Sequence, residues 1–378
     1  MHKSSESARS DWPLSLMLDE IWLRIHRTLV HKLEAASVWP EVGPHNILMR
    51  GQKALGERLK SELLSEVLGR IDFACLNSET IFGVANQRFR ARLPFVISFG
   101  YELGSGFSTL LHGECEHTAE VARICGMFNL GVSMFDLIYD NYPDLFEEFA
   151  KTFNERILTR LEDDLWACQD LEIRSKDVLT DELRVLLKII AWFFSRLHLL
   201  SKAVGRSEAW DKLSSLLLEA YRTELHSADA TAHAEDDLVK VAQAKSTLPF
   251  SIIHQVARLC SAWTHPEVER AIDSVVSHVA TTFWLTDDLV DVVPDFQAGD
   301  LNVILAQAGI GERQTRELSR NYPVLVRLLE GSYIEEAASR VQSSLVSMVN
   351  ILQSDNFRNE EAAHFCNVVL SYTRNWME

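Results

Sequence analysis

Residues 283–291 read Phe283-Trp284-Leu285-Thr286-Asp287-Asp288-Leu289-Val290-Asp291. On an α-helix Asp287 and Asp291 share one face, and Asp288 lies about 100° round from Asp287. The residues before them, from 266 onward, are apolar at helical spacing. The other faces of the segment are too apolar for a surface helix. The reading is a helix buried among neighbours that ends in carboxylates. A second segment has the same form. Phe135-Asp136-Leu137-Ile138-Tyr139-Asp140-Asn141 closes the apolar run 124–138, with Asp136 and Asp140 four apart.

Helical spacing extends outward from these two segments through most of the chain. It covers about 52–70, 72–85, 88–103, 115–141, 143–168, 178–204, 207–228, 230–244, 247–262, 266–292, 300–308, 312–320, 334–353 and 358–375. A further pattern covers 13–36. Residues 39–46 read as a loop, and Gly104-Ser105-Gly106 reads as a turn. No segment alternates as a strand would. The 378 residues are 47% hydrophobic and include only 16 Gly and 9 Pro. That is too little backbone punctuation for a many-stranded β protein, and enough apolar content for a large core. The expected fold class is all-α: one helical bundle over residues 13–378 around a central apolar cavity, preceded by a disordered stretch at 1–12.

The formal net charge is −17. It excludes a nucleic-acid binder, which needs clustered Lys and Arg to displace counterions. No stretch of about 20 residues is free of charge, so no transmembrane segment is expected. Residues 1–12 lack the apolar core of a signal peptide. The six cysteines are scattered without a C-x-x-C pair, which reads as free thiols and a cytoplasmic location.

Carboxylates gathered at the apolar ends of buried helices repel one another unless a cation joins them. An oxygen-only donor set suits Mg²⁺, which keeps part of its water shell and is completed by phosphate oxygens. Two such clusters across a cavity would let an acidic protein hold an anionic diphosphate.

In order along the chain, these segments resemble the isoprenyl diphosphate synthase and class I terpene synthase superfamily. Ala85-Asn86-Gln87-Arg88-Phe89-Arg90-Ala91 stands where prenyl synthases carry Gly-Gly-Lys-Arg-x-Arg-Pro. Asp136-Leu137-Ile138-Tyr139-Asp140 stands in place of the first D-D-x-x-D. Lys245-Ser246-Thr247 matches the lysine-threonine of an intervening helix. The segment 283–291 is similar to the second motif, F-Q-x-x-D-D-x-x-D. The resemblance covers about residues 80–305. It implies an all-α bundle with three Mg²⁺ ions, held here by Asp136, Asp140, Asp287, Asp288 and Asp291. It implies diphosphate contacts from Arg88, Arg90 and Lys245, and a further one from Arg374 beside Tyr372. Homodimerisation is implied as well.

Leu137 replaces the second aspartate of the first motif. Gln87 replaces the lysine, the arginine pair after the first motif is absent, and no Gly-Lys follows the second motif; in the family these missing cations are mainly those that hold the second substrate's diphosphate. Elongation is thereby disfavoured, while metal-assisted ionisation of one allylic diphosphate is left intact. A terpene synthase acting on a C15 to C25 allylic diphosphate is the expectation. A chain-elongating prenyl diphosphate synthase, or a non-catalytic partner subunit of one, is the alternative. Asp287 to Asp295 also reads in register with the cyclases' second metal motif, with Asp295 last. Phe128, Phe135, Tyr139, Phe283 and Trp284 are the aromatic residues expected to wall the cavity and to face a carbocation. Gly131 and Val132 are small, with Phe128 as a floor below them.

Overall fold

The structure, a computed structural model, describes residues 13–68, 87–113, 115–175, 181–205, 208–228, 235–260, 265–298, 302–309, 322–357 and 359–378. Among these residues the only regular elements are helices. They are α1 (Leu14–Ala35), α2 (Val42–Leu68), α3 (Gln87–His112), α4 (Thr118–Asn141), α5 (Pro143–Thr152), α6 (Glu155–Asp163), α7 (Leu165–Arg174) and α8 (Asp181–Val204). Then follow α9 (Glu208–Ala228), α10 (Glu235–Arg258), α11 (Pro266–Val290), α12 (Val292–Ala298), α13 (Val303–Gln307), α14 (Tyr322–Glu330), α15 (Tyr333–Leu352) and α16 (Glu360–Met377). The expected segments 1–12, 72–85 and 312–320 lie outside the described residues.

The centre is built from α3, α4, α10 and α11. Helix α3 touches each of the other three, and α2 and α16 cover its outer sides. Helix α4 is long and apolar enough to cross a membrane by length and composition alone, over Thr118–Tyr139. Its sides pack against α3, α8 and α10.

Several breaks expected from the sequence are not breaks. Gly104-Ser105-Gly106 lies inside α3, and these glycines serve packing rather than turning. A Cβ on Gly100 would sit 2.5 Å from the Cys125 carbonyl oxygen, and one on Gly104 would sit 2.6 Å from the Cys125 side chain. The glycines therefore let α4 approach α3 at backbone contact. Gly100→Ala should force the helices apart and cost about 1–3 kcal/mol, read as a lower urea midpoint at unchanged slope.

The loop expected at 39–46 shortens, because α2 already begins at Val42. Pro44 falls in its first turn, where a missing N–H is harmless. The helix expected over 143–168 is three helices. Asn154 accepts from the Ile157 amide at 3.2 Å and Asp164 from the Trp166 amide at 2.9 Å, so each side chain caps a new helix N-terminus. The break expected near 245 is absent, and α10 runs through Pro249. Tyr322–Glu330 is a helix that the pattern reading did not include.

Candidate active site

Asp287 and Asp291 lie at the C-terminal end of α11, Asp291 being its cap residue. Backbone bonds from Asp291 N to Asp287 O (2.9 Å) and from Asp295 N to Asp291 O (2.8 Å) carry the helical spacing across the junction. Pro294 sits in the first turn of α12 and does not stop the helix.

The electrostatics bring the two acidic segments together. Burial pushes the Asp287 carboxyl up to about 7, and the charges of Asp291 and of Asp136 on α4 push it the same way. The Trp376 indole and the Arg92 guanidinium oppose the rise. Trp376 Nε1 donates to Asp287 Oδ1 at 2.9 Å. Asp291 is also raised, by burial, and again Arg92 opposes. Asp136 faces the Lys245 ammonium on α10, with Nζ 3.5 Å from its Oδ1. The same ammonium lies 3.3 Å from Glu224 Oε2 on α9.

Lys245 and Glu224 also line an apolar cleft of about 800 Å³, a figure that includes its open mouth. Its walls come from α4 (Met127, Phe128, Gly131, Val132, Phe135), α8 (Leu186, Ile189, Ile190, Phe193, Phe194), α9 (Leu217, Ala220, Tyr221, Glu224) and α10 (Lys245, Pro249, Ile252). Phe153 and Leu158 complete them. Gly131, Val132 and Phe128 line the wall as their spacing below Asp136 predicts. Phe128 lies eight residues before Asp136, about 12 Å down the helix, against Phe193 at 5.3 Å between ring centroids.

The remaining expected residues divide. Phe135 faces the cleft, and its ring packs edge-on against Phe146 and Phe149. Tyr139 turns away from the cleft lining. Its hydroxyl donates to the Leu225 carbonyl at 3.3 Å and its ring meets Phe146 at 4.4 Å. Phe283 is buried beneath the acidic rim, stacked on Phe250 and edge-on to Phe99 and Trp376. Trp284 points elsewhere, under the Arg340 guanidinium at 5.4 Å.

Asp288 is not brought to Asp136. Its carboxyl is buried and held well above the usual range by burial and by the charges of Asp287 and Asp295, and the Val303 amide opposes this. Beside it Asn302 donates to the Asp288 carbonyl at 2.6 Å and to Asp295 Oδ2 at 2.8 Å, while its own Oδ1 caps α13. Asp288 and Asp295 thus surround a helix cap on the far side of α11. Arg374 is also committed elsewhere. Nη1 donates to the Pro40 carbonyl at 2.6 Å, Nε to Glu378 at 2.7 Å, and the guanidinium covers Trp39. Two residues along a helix turn by about 200°, so Trp376 meets the acidic rim and Arg374 does not. The Tyr372 hydroxyl bonds Ser98 at 2.6 Å in the interior. The side chains of Asp140, Arg88 and Arg90 lie outside the described residues.

Among the described residues no three His, Cys, Asp or Glu side chains converge as a ready ligand cage. What is assembled is a rim: the charges of Asp291 and of Asp136 both bear on the Asp287 carboxyl, Arg92 opposes them on one side, and Lys245 faces Asp136 on the other. Carboxylate oxygens are the donors that a hydrated hard cation takes, and such an ion accepts few protein ligands and retains waters. Arg92, Glu224 and Trp376 are the site residues that sequence reading missed. No protein-family model matches the chain, and no curated protein matches it.

Proposed function

We propose that the protein is a class I terpene synthase of the prenyl-synthase-like kind, which ionises an allylic isoprenyl diphosphate at the rim and transforms the cation in the cleft. One observation carries the reading. Asp287 and Asp136 stand on different helices, close enough that the Asp136 charge raises the Asp287 carboxyl, and the lysine beside Asp136 lines an apolar cleft. Mg²⁺ bound at Asp287, Asp291 and Asp136 would supply Lewis-acid neutralisation of the leaving diphosphate.

The chain's own residues do the rest. Lys245 donates to diphosphate oxygens at the mouth, and Arg92 adds a second positive charge on the side of Asp287 and Asp291. The C–O bond breaks with its electron pair leaving on the diphosphate, so the allylic carbon chain becomes cationic. Phe128, Phe135, Phe193 and Phe194 line the cleft with π faces that favour a cation. The scarcity of polar lining excludes water from it.

The test is incubation of the purified chain with Mg²⁺ and C10, C15, C20 or C25 allylic diphosphates, each with and without isopentenyl diphosphate. Hydrocarbon or alcohol in the absence of isopentenyl diphosphate is expected. Products that require it would make the protein an elongating synthase, and no turnover in any combination would remove both enzyme readings.

The cleft predicts chain-length selectivity. A Cβ on Gly131 would already lie 3.3 Å from Ile189 Cγ2, so Gly131→Phe must fill the cleft. Turnover of the longest accepted substrate should fall by about 10- to 100-fold, with shorter ones less affected. Phe128→Ala should shift selectivity towards longer chains. Unchanged length profiles for both variants would show that the chain does not enter this cleft.

A further inference from the structure

We propose that Glu224 is the catalytic base that ends the reaction by taking a proton from the carbocation, an inference that rests on the diphosphate-ionising reading above. On α9 the residues Leu217, Ala220, Tyr221 and Glu224 follow the spacing of one inward-facing stripe, and all four line the cleft. The stripe calls for an apolar residue at 224, and a carboxylate is there instead. Its side chain is only 12% exposed. A charge at such a position carries a desolvation cost, so the position is explained by a charge that it meets.

Glu224 is the one carboxylate among the described residues that line the cleft. The other polar groups there are poor bases. Lys245 is an ammonium bracketed by two carboxylates, and burial raises the Tyr221 phenol further above neutrality. A diphosphate seated at the mouth competes for the Lys245 ammonium, which here pairs with Asp136 and Glu224. Glu224 is then the anionic group facing the cationic chain, placed to attract its charge and accept its proton. In the step, the C–H bond next to the cationic carbon breaks, its electron pair becomes the new C=C π bond, and the proton passes to a Glu224 carboxylate oxygen. The allylic diphosphate thereby yields an alkene, diphosphate and one proton, which Glu224 returns to solvent.

The experiment compares wild type with Glu224→Gln and Glu224→Asp on whichever allylic diphosphate the wild type consumes. Two quantities are followed: diphosphate release, and product identity by gas chromatography with mass spectrometry. In Glu224→Gln, diphosphate release should continue while the wild-type alkene falls by at least about tenfold, replaced by alcohol or by alkenes formed at other carbons. Glu224→Asp should restore part of the wild-type product. An unchanged product spectrum in Glu224→Gln, with only KM raised, would make Glu224 a support for Lys245 and overturn the base role while leaving the diphosphate reading intact. Absence of diphosphate release from the wild type would overturn both. Should Glu224→Gln not fold, the product ratio of Glu224→Asp decides: a ratio identical to wild type counts against the base.

Discussion

Asp287→Asn is expected to make the metal-free protein more stable at pH 8 and to abolish turnover. Burial, Asp291 and Asp136 hold the Asp287 carboxyl up at about 7, against the Trp376 N–H and Arg92. In the unfolded chain the same group titrates in the ordinary carboxylate range. Between that range and about pH 7 the unfolded chain loses the proton while the folded protein keeps it. Folding stability attributable to Asp287 therefore falls as pH rises through this window and stays low above it. Asparagine never ionises, and its carbonyl oxygen can still accept from Trp376. The variant should gain about 1–2 kcal/mol at pH 8 and nothing near pH 4.

The functional effect runs the other way. Losing one positioned carboxylate of the rim should lower turnover by about 10²- to 10³-fold or more, with the far-ultraviolet circular dichroism unchanged. Mg²⁺ should raise the wild-type melting temperature at pH 8, since it binds only the folded state, and should raise that of the variant less. Thermal unfolding at pH 4 and pH 8, with and without Mg²⁺, reads all of this. Equal stability of the two proteins at pH 8, or retained turnover, would remove Asp287 from the site.

The helices were legible because burial imprints a 3.6-residue period, and α11 and α15 appear within a residue or two of their expected ends. What the period cannot supply is which helix lies against which. Gly104 and Gly106 therefore read as punctuation, although their missing side chains serve α4 and Phe365. Asp287, Asp291 and Asp136 were legible as charges on faces otherwise apolar. Asp288 was not separable from them by spacing, because its partners, Asn302 and the Val303 amide, arrive from a helix start that follows a different segment. Arg92 left one usable signal: it lies four residues after Arg88, on the same face of α3. Glu224 and Trp376 left none, because each becomes a site residue only through a contact with a distant helix.

Lys245→Met is the second variant with a large expected effect, since one ammonium holds two carboxylates from two different helices. Asp136 on α4 and Glu224 on α9 both face it, at 3.5 and 3.3 Å. Methionine keeps the length and apolar volume of the side chain, so the change is mainly the loss of charge. Glu224 is well covered and Asp136 about a third exposed, so losing the ammonium they share should cost about 1–3 kcal/mol, below the value for fully buried ions. Adding Glu224→Gln should then recover part of that loss, because the carboxylate left facing apolar lining is removed. A double-mutant cycle isolates the coupling, which should be about 1 kcal/mol or more. Binding should suffer as well: the KM for the allylic diphosphate should rise at least about tenfold, with kcat less affected, as expected for a contact made in both ground and transition states. Additive stability losses in the cycle would mean that Lys245 and Glu224 do not interact. An unchanged KM would take Lys245 out of the diphosphate contact and leave it a strut between α4, α9 and α10.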